Sequence, residues 1–187
     1  PLFGWLVRHG AGLGDLEEFA RRPTSLDVIG LNFYPQWSTR QLYVNRAGRL
    51  SNRSREHDGA GFEALIEQFS ERFDAPIMVT ETSAVGSESA RSQWLEASVS
   101  AVKRLRMRGV PVHGYTWFPL CTMYDWCYRF GSAPKERYRI ELGLFSLANT
   151  DDRERWNPTP LVSQLRGYMK DPASSIGRIS TVDGEDI

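Results

Sequence analysis

Three short runs, Leu26 to Pro35, Pro76 to Thr82 and Val110 to Leu120, open on aliphatic residues and close on polar or aromatic ones. Such near-continuous apolar runs are what strands buried on both faces of a parallel sheet look like. Between them the apolar spacing changes. Phe62, Leu65, Ile66, Phe69 and Phe73 recur at helical intervals and predict an amphipathic helix over 61–73. Trp94, Leu95, Val99, Val102 and Leu105 predict a longer one from about Ser89 to Met107, with Gly109 placed to end it. Both stripes read as core. A shorter helix, capped by Asp15 or Gly14 and carrying Leu16, Phe19 and Ala20, stops at Pro23, and a last one runs from about Thr159 to Met169.

The segments between are polar. After the first strand a long excursion, Gln36 to Gly59, holds Gln41–Asn45 and Arg49–Ser51 on either side of Arg46-Ala47-Gly48, the pattern of a small surface hairpin. Strand, helix, strand, helix, strand, helix is the signature of parallel βα units, so the fold class is α/β. A complete eight-stranded (β/α)8 barrel takes about 250 residues. The 187 residues present therefore form either the C-terminal part of such a TIM barrel or a smaller open sheet. Residues 1–170 read as one partial domain. Residues 171–187, rich in Ser, Gly and Asp, read as a flexible tail.

Composition narrows the partners. There are 23 basic and 23 acidic residues, interspersed along the chain, which gives no reason to expect nucleic acid or an anionic membrane. No segment has the roughly 20 apolar residues of a membrane span. Lys103 to Arg108 reads as the solvated, C-terminal end of its helix. Cys121 and Cys127 match no common zinc or redox spacing and read as two free thiols of a cytoplasmic protein, or else as a local disulfide. His9 and His57 stand in loops without a ligand-spaced companion, and His113 reads as an interior histidine. No metal and no cofactor are expected; Gly10-Ala11-Gly12-Leu13-Gly14 follows no strand and has the wrong spacing for a dinucleotide loop.

The chemistry gathers at the strand ends. Alternate residues of a strand share a face, which groups Asn32 with Tyr34, Glu81 with Ile77 and Val79, and Trp117 with His113 and Tyr115. If the three strands lie side by side, Asn32, Tyr34, Glu81 and Trp117 converge on a cup with one carboxylate, hydrogen-bonding groups and an aromatic wall. Sugars suit such a cup, because their hydroxyls take hydrogen bonds and their C–H faces pack on rings.

Asp-Val-Ile-Gly-Leu-Asn-Phe-Tyr-Pro, Ile-Met-Val-Thr-Glu-Thr and Gly-Val-Pro-Val-His-Gly-Tyr-Thr-Trp resemble, in that order, strands six, seven and eight of family 1 glycoside hydrolases. The resemblance runs over residues 26 to 147 and includes Leu-Gly-Leu-Phe-Ser-Leu. It implies a retaining, β-glycosidase-like mechanism in which one carboxylate attacks the anomeric carbon and a second, about 5 Å away, protonates the leaving group. Glu81 then resembles the nucleophile and Tyr34 the phenol that hydrogen-bonds it. Asn32 lines the sugar pocket, and Trp117 resembles its aromatic floor, or Phe118 does if the strand is shifted by one residue. Asp125-Trp126 resembles a Glu-Trp pair that reads sugar hydroxyls.

The pattern departs from the family at Thr82-Ser83, where Asn-Gly is usual, and at Pro119 to Met123. No Asn-Glu-Pro, the motif carrying the second carboxylate, occurs in the chain. The resemblance thus implies a hydrolase of glycosides that is inactive as this chain alone. Its partner is the missing N-terminal half of the barrel or a second copy. The alternative is a non-catalytic carbohydrate-binding or structural barrel remnant.

Overall fold

The computed structural model describes residues 2–150 and 153–170; the tail expected over 171–187 lies outside the described residues. Two short helices open the chain, α1 (Leu2–Arg8) and α2 (Leu13–Arg21). Then come β1 (Ile29–Phe33), the antiparallel hairpin β2 (Arg40–Val44) and β3 (Leu50–Ser54), α3 (Gly59–Phe73), β4 (Ile77–Thr82), α4 (Glu88–Met107) and β5 (Val112–Trp117). A long connection follows, holding β6 (Met123–Tyr124) and β7 (Arg139–Ile140), and leads to a second hairpin, β8 (Phe145–Thr150) and β9 (Arg153–Pro158), and to α5 (Pro160–Lys170).

β1, β4 and β5 form one parallel sheet in the order β1-β4-β5. The chain is α/β, as the alternation of patterns predicts. Helices α3 and α4 pack together and against this sheet. Phe62 and Ile66 of α3, with Trp94, Leu95, Val99, Val102 and Leu105 of α4, form the core with Ile29, Leu31, Phe33, Ile77 and Val79. Burial of each such side chain contributes about 1.5–3 kcal/mol, so this layer holds the fold together.

Local signals set the helix ends. The Asp58 carboxylate accepts from the Gly61 N–H, and the Ser87 hydroxyl accepts from Ala90, each satisfying an orphan donor of the first turn. Asp74 and Gly109, at φ +46° and +82°, turn the chain out of α3 and α4.

Four expectations change. The strands are covered on one face only: β1 alternates buried and exposed, and Gly30, Asn32, Met78 and His113 are exposed on its open side. His113 is therefore not an interior histidine. In α2 the Leu16, Phe19, Ala20 stripe finds no core, and neither α1 nor α2 has a buried residue. Arg104 and Arg108 do more than solvate a helix end, since both pair with Glu63 of α3, and Arg108 also pairs with Glu67. β9 stands where the polar sequence after Leu147 reads as a loop; its partner β8 supplies the pairing that composition does not signal.

Candidate active site

The site begins with a fault in the β1–β4 ladder. Ile29 pairs with Ile77 and Leu31 with Val79, but Asn32 pairs with Glu81, so one residue of β4 is extra. A bulge of this kind re-aims the side chains beyond it. Ile77 and Val79 face the helices, and after the fault Thr82, not Glu81, takes the next buried position. Glu81 thus parts company with Ile77 and Val79, against simple alternation, and turns toward β1.

There the Tyr34 hydroxyl donates to Glu81 Oε2 at 2.7 Å. Burial, and then the hydrogen bond to the Glu81 carboxylate, push the phenol well above its ordinary value, so it remains a donor at every physiological pH. Among the described residues Glu81 takes no other hydrogen bond, which leaves Oε1 with its lone pairs. Beside the pair, the Thr80 hydroxyl donates to Asn32 Oδ1 at 2.7 Å.

Behind the pair the strand ends are clamped. Trp94 Nε1 donates to Thr82 Oγ1 at 3.0 Å, and the Thr82 hydroxyl donates to the Phe33 carbonyl at 2.6 Å. Phe33 and Thr82 immediately adjoin Tyr34 and Glu81, so this buried relay holds the phenol and the carboxylate at a fixed separation. Trp94 is itself fixed by ring contacts to Phe33 and Phe62 at 5.8 and 5.6 Å.

The aromatic wall comes from elsewhere than expected. Trp117 is 6 % exposed and donates its indole N–H to the Leu142 carbonyl; it is a core residue and does not line the cup. Phe118, 42 % exposed, follows it with its N–H on the Thr82 carbonyl and a cis bond to Pro119. By alternation it faces the side opposite Trp117. Trp37, which the sequence pattern did not single out, has its ring 5.6 Å from Tyr34 and is 42 % exposed. A turn places it there: the Tyr34 N–H is bound by the Ser38 hydroxyl, and the Trp37 N–H by the Tyr34 carbonyl. The only clue in the sequence was the nearness of Trp37 to Tyr34.

Asp125 and Trp126 stand on a short helical turn of the long connection. The Asp125 carboxylate caps that turn by accepting from the Cys127 N–H at 2.7 Å, which holds its carboxyl below the usual range. Trp126 is exposed, with the Arg129 guanidinium 4.9 Å over its ring. With Tyr124 and Tyr128 they line a cleft of about 230 Å³. Among the described residues no hydrogen bond or ring contact joins this group to Tyr34 and Glu81. Cys121 and Cys127 are free thiols. Among the described residues no cluster of three His, Cys, Asp or Glu side chains could hold a metal, and no helix is long and apolar enough to cross a membrane.

Solved structures share this architecture. A β-glucosidase from Exiguobacterium marinum superposes on 86 % of the chain with a TM-score of 0.61 and 19 % identity. The family 1 β-glucosidase from Thermotoga maritima covers 82 % at 0.60 and 17 % identity. The chain carries part of a β-glucosidase fold. It spans little more than a third of those proteins, 38 and 37 %, so the open face and edges of its sheet correspond to a partial barrel. A β-glucosidase from Exiguobacterium antarcticum agrees, at 0.56 over 78 % of the chain. No family model matches the sequence, and no curated protein does.

Proposed function

We propose that the chain is the nucleophile-bearing part, strands six to eight, of a retaining glycoside hydrolase of the (β/α)8 type. The Tyr34–Glu81 hydrogen bond at 2.7 Å, at the C-terminal ends of adjacent parallel strands, carries this reading, since that end is where barrel active sites assemble. A Glu81 carboxylate oxygen attacks the anomeric carbon as the bond to the leaving oxygen breaks, forming a glycosyl ester; water then releases the sugar and regenerates the carboxylate. The acid that protonates the leaving oxygen comes from residues outside this chain. Tyr34 holds Glu81 in the attacking rotamer. Asn32, Trp37 and Phe118 border the sugar, and Asp125 and Trp126 reach it only from the long connection after β5.

A 2-deoxy-2-fluoro glycoside with a dinitrophenolate leaving group tests the assignment, because so weak a base departs without protonation. Treatment of the complete natural protein, followed by digestion, should place the fluorosugar on the peptide containing Glu81. A label on another carboxylate removes the nucleophile assignment; sugar binding without any label supports the non-catalytic remnant.

A further inference from the structure

The charge of the chain sums to zero, but residues 36–55 hold Arg40, Arg46, Arg49, Arg53 and Arg55 and not one Asp or Glu. All five arginines are exposed. Among the described residues none of them makes an ion pair, whereas Arg21, Arg22, Arg104, Arg108 and Arg139 each pair with a glutamate. Arg40 and Arg53 donate to Ser54 Oγ and Gln41 Oε1, neutral acceptors that leave their charge uncompensated.

We propose that the β2–β3 hairpin binds an anionic glycan, the acidic sugars of a substrate whose cleaved unit lies at Glu81. For the position of that unit the proposal rests on the hydrolase reading. The hairpin springs directly from the end of β1: the Arg55 N–H bonds the Thr39 carbonyl, and the His57 N–H bonds the Pro35 carbonyl. Along the chain Trp37, whose ring lies 5.6 Å from Tyr34, comes between Tyr34 and the first arginine. A glycan leaving Glu81 past Trp37 meets the hairpin next.

The pairing of Gln41 with Arg53 and of Tyr43 with Ser51 puts these four on one face, with the Arg53 guanidinium 5.5 Å over the Tyr43 ring. Leu42, Val44 and Leu50 fall on the other face, together with Arg40, Asn52 and Ser54. The face of Arg53 and Tyr43 is thus polar throughout, with amide and hydroxyl groups for sugar hydroxyls and a guanidinium fork for a carboxylate or sulfate.

Calorimetric titration with an oligogalacturonate and with a neutral gluco-oligosaccharide of equal length decides the matter. The acidic glycan should bind the protein about tenfold tighter at low salt, and the advantage should shrink as salt screens it. The turn variant R46E/R49E should abolish that advantage and R46K/R49K retain most of it; both positions are exposed. Equal affinity for the two glycans overturns the proposal, as does an acidic preference that survives R46E/R49E, or arginine-dependent binding to phosphatidylserine vesicles without oligogalacturonate binding. The readout needs no turnover. Binding by a protein that is never labelled at Glu81 refutes only the hydrolase, and labelling without acidic preference refutes only the hairpin site.

Discussion

Replacing Thr82 by valine keeps the shape of the side chain and removes its hydroxyl. Trp94 Nε1, in a side chain that is 5 % exposed, then loses its acceptor, and the Phe33 carbonyl loses a donor at 2.6 Å. One lost hydrogen bond costs about 1 kcal/mol, and a buried donor left unsatisfied costs about 1–3 kcal/mol. Thr82→Val should therefore destabilise the chain by about 2–4 kcal/mol. With a urea m-value of about 2 kcal/mol/M, the unfolding midpoint falls by about 1–2 M. Thr82→Ser keeps the hydroxyl and loses one buried methyl, about 1 kcal/mol. The decisive measurement is the order of the two variants in urea, with the Tyr34 phenol titrated by absorbance in parallel. If the relay positions Tyr34 against Glu81, the valine variant also lowers the phenol's pKa toward the ordinary tyrosine value and the serine variant does not. A valine variant as stable as the serine one would refute the relay.

Tyr115 packs partly buried against α4, with its hydroxyl 2.8 Å from that of Ser98, and burial raises its pKa above the ordinary 10.0. The folded chain then keeps a proton that the unfolded chain releases, so stability is fully present below pH 10 and falls as pH rises from there toward the folded value. The slope approaches about 1.4 kcal/mol per pH unit, and Tyr115→Phe should flatten urea midpoints measured from pH 9 to 11; an unchanged fall would refute the assignment. The half-buried Tyr34 acts in the same direction. A Cβ at Gly143 would lie 2.7 Å from Cys121 Cα and 2.8 Å from its carbonyl oxygen, backbone that cannot step aside, so Gly143→Ala should cost about 3 kcal/mol or more in thermal unfolding. Gly167, in α5 with open space around it, should instead gain about 0.5–1 kcal/mol as alanine.

Pattern alone delivered the βα alternation, because the apolar stripes of α3 and α4 and the aliphatic runs of β1 and β4 answer to local periodicity. It also placed the Arg46-Ala47-Gly48 turn between two strands. Glu81 and Tyr34 were legible for the same reason, standing where apolar runs turn polar. What periodicity cannot register is an irregular residue pairing. The extra residue in β4 set Glu81 apart from Ile77 and Val79, and the fault between Ile77 and Met78 in the β4–β5 ladder left Trp117 in the core and Phe118 outside. Trp37 and Thr82 were likewise hidden, since the ring contact of one and the bonds of the other join segments distant in sequence or folded by a turn. Sequence determined that α3, α4, β1 and β4 form, since that is settled within a few residues by burial and backbone preference, whereas β9 needed its partner β8. Which side chains share the cup was decided only when strands settled into register, because one inserted residue exchanges the faces of everything after it.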